Sequence, residues 1–164
     1  MKNIITILLL TISLSVLAET EQLTTPETVT NAIHEKGAMN VINSIFGSDS
    51  WGIIVKGIAS GSPQWLHVAK LLAGGSDAGS ASELRDAVAW ALPNSPREVI
   101  LLAQKEQLFQ DTCSGPPVDE PAGGYKKYFD TSIEAVSKIS DPKFKKLKLE
   151  CIDKLNIAKK HLVR

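Results

Sequence analysis

Residues 62–96 read SPQWLHVAKLLAGGSDAGSASELRDAVAWALPNSP, two apolar stretches at helical spacing separated by a glycine-rich turn and framed by Ser-Pro pairs. Ser62 predicts an N-cap and Pro63 a first-turn position that needs no N–H, while Gly74-Gly75 supplies the stop. Between them Trp65, Leu66, Val68, Ala69 and Leu72 share one face and Lys70 is left to solvent. Ser80-Ala81-Ser82-Glu83 matches a capping box, so a second helix is expected to start there, with Leu84, Ala87, Val88 and Ala91 at core spacing. Nowhere does the chain alternate apolar and polar residues long enough for a half-buried strand. The fold class is therefore all-α.

The same reading extends in both directions. Downstream, Pro93 closes the second helix and Ser95-Pro96-Arg97-Glu98 opens a third, with Val99, Leu102, Leu108 and Phe109 inward. Ser62-Pro63 and Ser95-Pro96 stand thirty-three residues apart. That spacing suggests two stacked helical hairpins, and a compact orthogonal bundle is the competing arrangement. Upstream, Thr25-Pro26-Glu27 predicts a helix start, Val29, Ile33, Val41, Ile42 and Ile45 a buried face, and Gly37 a break or weak point. Ser50 and Trp51 begin a short apolar helix through Ile54, Val55 and Ile58 that stops at Ser60-Gly61-Ser62. Residues 114–124, SGPPVDEPAGG, form a Pro/Gly-rich crossover that no helix can traverse. Beyond it Tyr128, Phe129, Ile133 and Val136 predict one helix, and Asp141-Pro142 caps a last one carrying Phe144, Leu147, Cys151, Leu155, Ala158 and Leu162. The expectation is a single domain over 19–164, a bundle of about six or seven short helices.

Residues 1–18 read as an export signal: Lys2, an apolar stretch from Ile4 to Leu17, and the small-residue site Val16-Leu17-Ala18 before Glu19. The apolar run is shorter than a bilayer span and no cysteine follows it, so a cleaved, soluble product in a periplasm or outside the cell is expected, without stable membrane insertion. In such an oxidising space Cys113 and Cys151 are most simply read as one bridge, with two free thiols as the alternative. Neither a CxxC redox pair nor a zinc cluster fits their separation.

Charge is uneven along the chain. Residues 19–124 hold thirteen acidic and six basic side chains, and 125–164 hold eleven basic and five acidic. Net charge near zero argues against nucleic acid as a partner. The asymmetry is either satisfied within the fold or presents a surface to an oppositely charged partner.

The catalytic search is mostly negative. His34, His67 and His161 lie in unrelated segments, His34-Glu35 lacks the second histidine of a zinc-protease helix, and no G-x-S-x-G elbow, P-loop or dinucleotide fingerprint occurs. No metal or cofactor is expected. The polar run Gly74-Gly75-Ser76-Asp77-Ala78-Gly79-Ser80 is the strongest ligand-loop candidate, although a helix stop, a turn and a helix start in succession explain its composition equally simply. Trp51 and Trp65 would line a groove between neighbouring helices if exposed; core packing is the simpler reading for each of the three tryptophans.

Two functions follow. The first is an exported helical module that binds another envelope or secreted protein, of the inhibitor or immunity type, through Trp51, Trp65 and Asp77. The second is a small periplasmic hydrolase or ligand-binding enzyme using His67 and Asp77.

Overall fold

The computed structural model describes residues 22–115 and 124–162. The export-signal reading and most of the Pro/Gly-rich crossover lie outside these residues. The described chain is helical without strands: α1 (Pro26–Lys36), α2 (Ala38–Ile45), α3 (Asp49–Ala59), α4 (Pro63–Ala73), α5 (Ala78–Ala91), α6 (Pro96–Lys105), α7 (Gly124–Ser137) and α8 (Lys145–Leu162). Short 3₁₀ turns at Gln107–Phe109, Thr112–Ser114 and Pro142–Phe144 join or precede the later helices. No helix among the described residues is long and apolar enough to cross a membrane.

One helix more than the sequence predicts arises at Gly37. Its φ of 82° and ψ of 148° leave helical space, a conformation open to glycine, so the apolar face of residues 29–45 is carried by two helices. Its N–H still reaches Ile33 O, and α2 starts at the next residue. Thr25 caps α1 as expected, through a reciprocal box with Thr28. A cap of this kind contributes about 1 kcal/mol.

Other starts differ from the sequence rule in instructive ways. Helix α5 begins three residues earlier than predicted, because Asp77 is the N-cap and forms the capping box with Ser80. Ser80 is thus the third residue of the helix, fully buried, and Glu83 is freed for another partner. Ser62 and Ser95 occupy N-cap positions without bonding the helix N–H groups. Ser62 Oγ donates to Gln64 Oε1 at 2.8 Å. Ser95 Oγ donates to Gly61 O at 2.6 Å, while Asn94 Nδ2 reaches Ser60 O at 3.4 Å.

Those last two bonds fasten the turn between α5 and α6 to the turn between α3 and α4. Helix α3 packs on α5 and α4 on α6, so the two helical hairpins stack with equivalent turns in contact. The thirty-three-residue spacing of the Ser-Pro pairs is thereby expressed in space. Around this stack, α1 and α2 cover α4, and α7 and α8 pack antiparallel against α6 and the 3₁₀ turns.

A contiguous buried cluster runs from Leu23 to Ala158. Val29, Ile54, Ile58, Leu72, Leu84, Val88, Leu92, Phe109, Phe129 and Leu155 are among its fully buried members. Phe109 reaches it from a 3₁₀ turn, since α6 stops at Lys105 where Glu106 turns extended. Tyr128 is buried too, and its hydroxyl donates to Ala89 O at 2.9 Å between the edges of Trp90 and Phe129. Burial pushes that phenol above its ordinary range.

Cys113 and Cys151 are disulfide-bonded, with Cα atoms 5.1 Å apart. The bridge joins the 3₁₀ turn Thr112–Ser114 to the middle of α8. Lys159 and Lys126 both pair with Asp130, tying α8 to α7, and Arg97 stacks over the Phe144 ring at 5.1 Å. Part of the basic charge of 125–164 is thus neutralised internally, while Lys127, Lys143, Lys145, Lys154 and Lys160 make no ion pair among the described residues.

Candidate functional site

The glycine-rich run that the sequence singles out is a structural corner. Gly74 is the C-cap of α4 and Asp77 the N-cap of α5, with Ser76 Oγ donating to Ala73 O at 3.0 Å. Two of its glycines permit close approach. A Cβ on Gly75 would overlap Met39 N and lie 2.7 Å from Ala38 C and 2.8 Å from Ala38 Cβ, so the start of α2 is seated directly on this turn. A Cβ on Gly79 would come within 3.3 Å of Phe46 Cζ.

Phe46 closes α2 and is followed by Gly47 at a φ of 79°. Its ring meets Trp51 edge-on, with centroids 5.3 Å apart. Trp51 in turn is only 3 % exposed and donates from Nε1 to Glu83 Oε2 at 2.6 Å. Trp51 is thus a core residue with a satisfied N–H, and it supports Phe46 instead of facing a groove. Trp65 is half-buried and packs flat on Gly57, where a Cβ would lie 2.5 Å from Cδ2 and 2.7 Å from Nε1. The two tryptophans therefore have separate structural duties.

Replacing Glu83 with alanine removes the acceptor of a buried indole N–H. Because Glu83 itself is exposed, water can partly replace it, and the expected loss is about 1 kcal/mol, with Glu83→Gln losing less. Urea denaturation followed by tryptophan fluorescence measures both; equal stability of all three proteins would show that the bond contributes nothing.

Asp77 accepts from Ser80 N at 3.2 Å and from Ser80 Oγ at 2.8 Å. The Ser80 hydroxyl and backbone N–H hold its carboxyl below the usual carboxylate range. Both bonds fall on Oδ1, and they make the group a weakened base. His67 is exposed on α4, and no hydrogen bond joins it to Asp77 among the described residues. Nor do the described residues bring three histidine, cysteine, aspartate or glutamate side chains together as a metal site.

A carboxylate whose folded pKa is depressed stabilises the fold at pH values above its unfolded pKa, and that contribution disappears as pH falls through the folded one. Asp77 behaves so, and so do Asp130 and Glu134, each held down first by lysine hydrogen bonds, from Lys126 and Lys159 in one case and Lys138 in the other. Stability is therefore expected to decline on acidification below the ordinary carboxylate range and to hold steady just above it. Melting curves across that range check this, and Asp77→Asn, which keeps a capping side chain, should flatten part of the acid limb.

What the corner does present is apolar surface. Met39 is 61 % exposed and Phe46 45 % exposed. They are seven residues apart on or at the end of α2, hence on one line, and that line lies about a quarter-turn off the face carrying Val41, Ile42 and Ile45. Asp77 borders the same Gly79 position as the Phe46 ring, and Asp49 follows Phe46 by three residues at the start of α3; both are exposed and neither is in an ion pair among the described residues. Sequence reasoning missed Met39 and Phe46. The available signal was their phase, since apolar residues out of register with their own helix's core have no neighbour to bury them.

Elsewhere, Leu149, Ile157 and Leu162 are exposed on α8. A shallow cavity beside the disulfide is lined by Ile100, Ala103, Cys113, Leu147, Cys151 and Lys154. No protein-family model, curated protein or solved structure matches this chain.

Proposed function

We propose that this chain is an exported, non-catalytic helical module that binds another protein of the cell envelope, in the manner of an inhibitor or immunity partner. One observation carries the reading: at the corner the sequence marks as most unusual, the polar groups are used for folding while Met39 and Phe46 are held outward. Asp77 caps α5, Ser80 completes the cap and Glu83 anchors Trp51. Aromatic and methionine side chains held at the surface are the common anchors of protein recognition. The disulfide agrees with an oxidising compartment, and the signal-like residues 1–18 give the route there.

The hydrolase alternative needs Asp77 to orient or deprotonate His67. No hydrogen bond joins the two among the described residues, and the Asp77 carboxylate accepts from Ser80 instead.

Affinity capture tests the proposal. The oxidised protein, immobilised and exposed to envelope extract of its own source cells, should retain one protein at near-stoichiometric yield. Cys151→Ala, carried as a control, reports whether the intact bridge is required. Recovery of nothing beyond the blank resin would sink the reading.

A further inference from the structure

Resting on that reading, we infer that the shelf formed by Met39 and Phe46, with Asp77 beside the Phe46 ring and Asp49 three residues beyond it, docks a basic amphipathic segment of the partner protein. The partner's apolar side chains would cover Met39 and Phe46, and its lysines or arginines would meet the two carboxylates.

The apolar part of the surface is pre-organised. Phe46 is braced from below by the edge of Trp51, which is itself held by Glu83, and from the side by the bare backbone of Gly79. Met39 stands on a helix start pressed against Gly75. An aromatic ring fixed before binding loses little freedom when covered, which is what makes such a residue an effective anchor. Methionine beside it adapts to the shape of its neighbour.

The charge around the shelf chooses the partner. The position of a Gly79 Cβ is 3.3 Å from Phe46 Cζ and 4.0 Å from Asp77 Oδ1, so ring and carboxylate share one spot. Asp49 follows Phe46 by three residues. Neither carboxylate is in an ion pair among the described residues, and residues 19–124 are acidic overall. An anionic lipid surface would be repelled here, whereas a helix carrying lysine beside leucine complements both parts of the shelf.

The test uses the oxidised full-length mature chain and two labelled peptides, an amphipathic leucine/lysine helix and its leucine/glutamate counterpart, titrated by fluorescence anisotropy. The lysine peptide should bind at least about tenfold more tightly than the glutamate peptide, and added salt should narrow the gap. Met39→Ser with Phe46→Ser should weaken lysine-peptide binding by about tenfold or more, with circular dichroism confirming the fold. Asp49→Lys, an exposed change away from the core, should reduce or reverse the preference between peptides even if the double variant proves unstable.

Equal binding of the two peptides, or binding unchanged in Asp49→Lys, would overturn the inference. So would a concentration-dependent dimer in sedimentation that Phe46→Ser dissociates, since the shelf would then belong to a second copy. An envelope partner that binds the shelf variants as well as the natural protein would refute this site and leave the binding module standing. Failure of both capture and peptide binding would remove both.

Discussion

Reduction of the Cys113–Cys151 bridge should lower the melting temperature by roughly 10 °C, the largest single effect expected in this protein. The bridge spans 38 positions, and a closed loop of that length restricts the unfolded chain by about 4 kcal/mol on the chain-entropy model. Both sulfurs are buried, with Cys113 in a short 3₁₀ turn and Cys151 in the middle of α8. Thermal melts with and without reductant measure the effect, and a Cys113→Ala, Cys151→Ala variant should melt low and ignore reductant altogether. Identical melting of the oxidised and reduced protein would mean that the bridge contributes nothing to stability.

Gly75→Ala should destabilise by about 3 kcal/mol, a large effect for adding one methyl group. The new Cβ would overlap backbone atoms of α2, Met39 N and Ala38 C, and backbone cannot swing aside as a side-chain tip can. Relief requires lifting α2 off the α4–α5 turn, which also disturbs the seat of Met39. The neighbouring Gly74 supplies the control: its φ of −70° suits any residue and nothing lies within 4 Å of its Cβ position. Gly74→Ala should be neutral or stabilise by up to about 1 kcal/mol through the unfolded chain. If urea denaturation gives the two variants the same midpoint, the close approach of α2 is not as described.

The contrast between these adjacent glycines shows what the sequence can and cannot convey. Local chemistry was legible: Thr25, Pro63 and Pro96 mark helix starts, Gly37 and Gly61 mark breaks, and buried positions such as Val29, Leu72, Val88 and Leu155 follow from spacing alone. Where two local patterns competed, spacing misled. Ser80-Ala81-Ser82-Glu83 and Asp77-Ala78-Gly79-Ser80 both resemble a helix start, and aspartate at the earlier position won because its carboxylate accepts from both the N–H and the hydroxyl of Ser80. Ser62 and Ser95 illustrate the same limit, since a hydroxyl at a cap position is free to bond whatever the tertiary fold brings near.

The candidate site was less legible because it rests on contacts between distant parts of the chain. Trp51 meets Glu83 across thirty-two residues, and Phe46 meets Gly79 across a comparable stretch. Neither contact leaves a mark in the spacing of one helix. The sequence drew attention to Trp51, Trp65 and Asp77, which brace and cap the fold, and passed over Met39 and Phe46, the second of which rests on Trp51.

The disulfide also alters what a broken peptide bond means for this protein. A protease that cuts once anywhere between Cys113 and Cys151, within the stretch that leads into α7 for example, opens the loop but separates nothing. The N-terminal helices and α8 stay on one covalent skeleton until a thiol intervenes. Two bands on a reducing gel and one on a non-reducing gel would therefore describe a nicked molecule that travels as a unit.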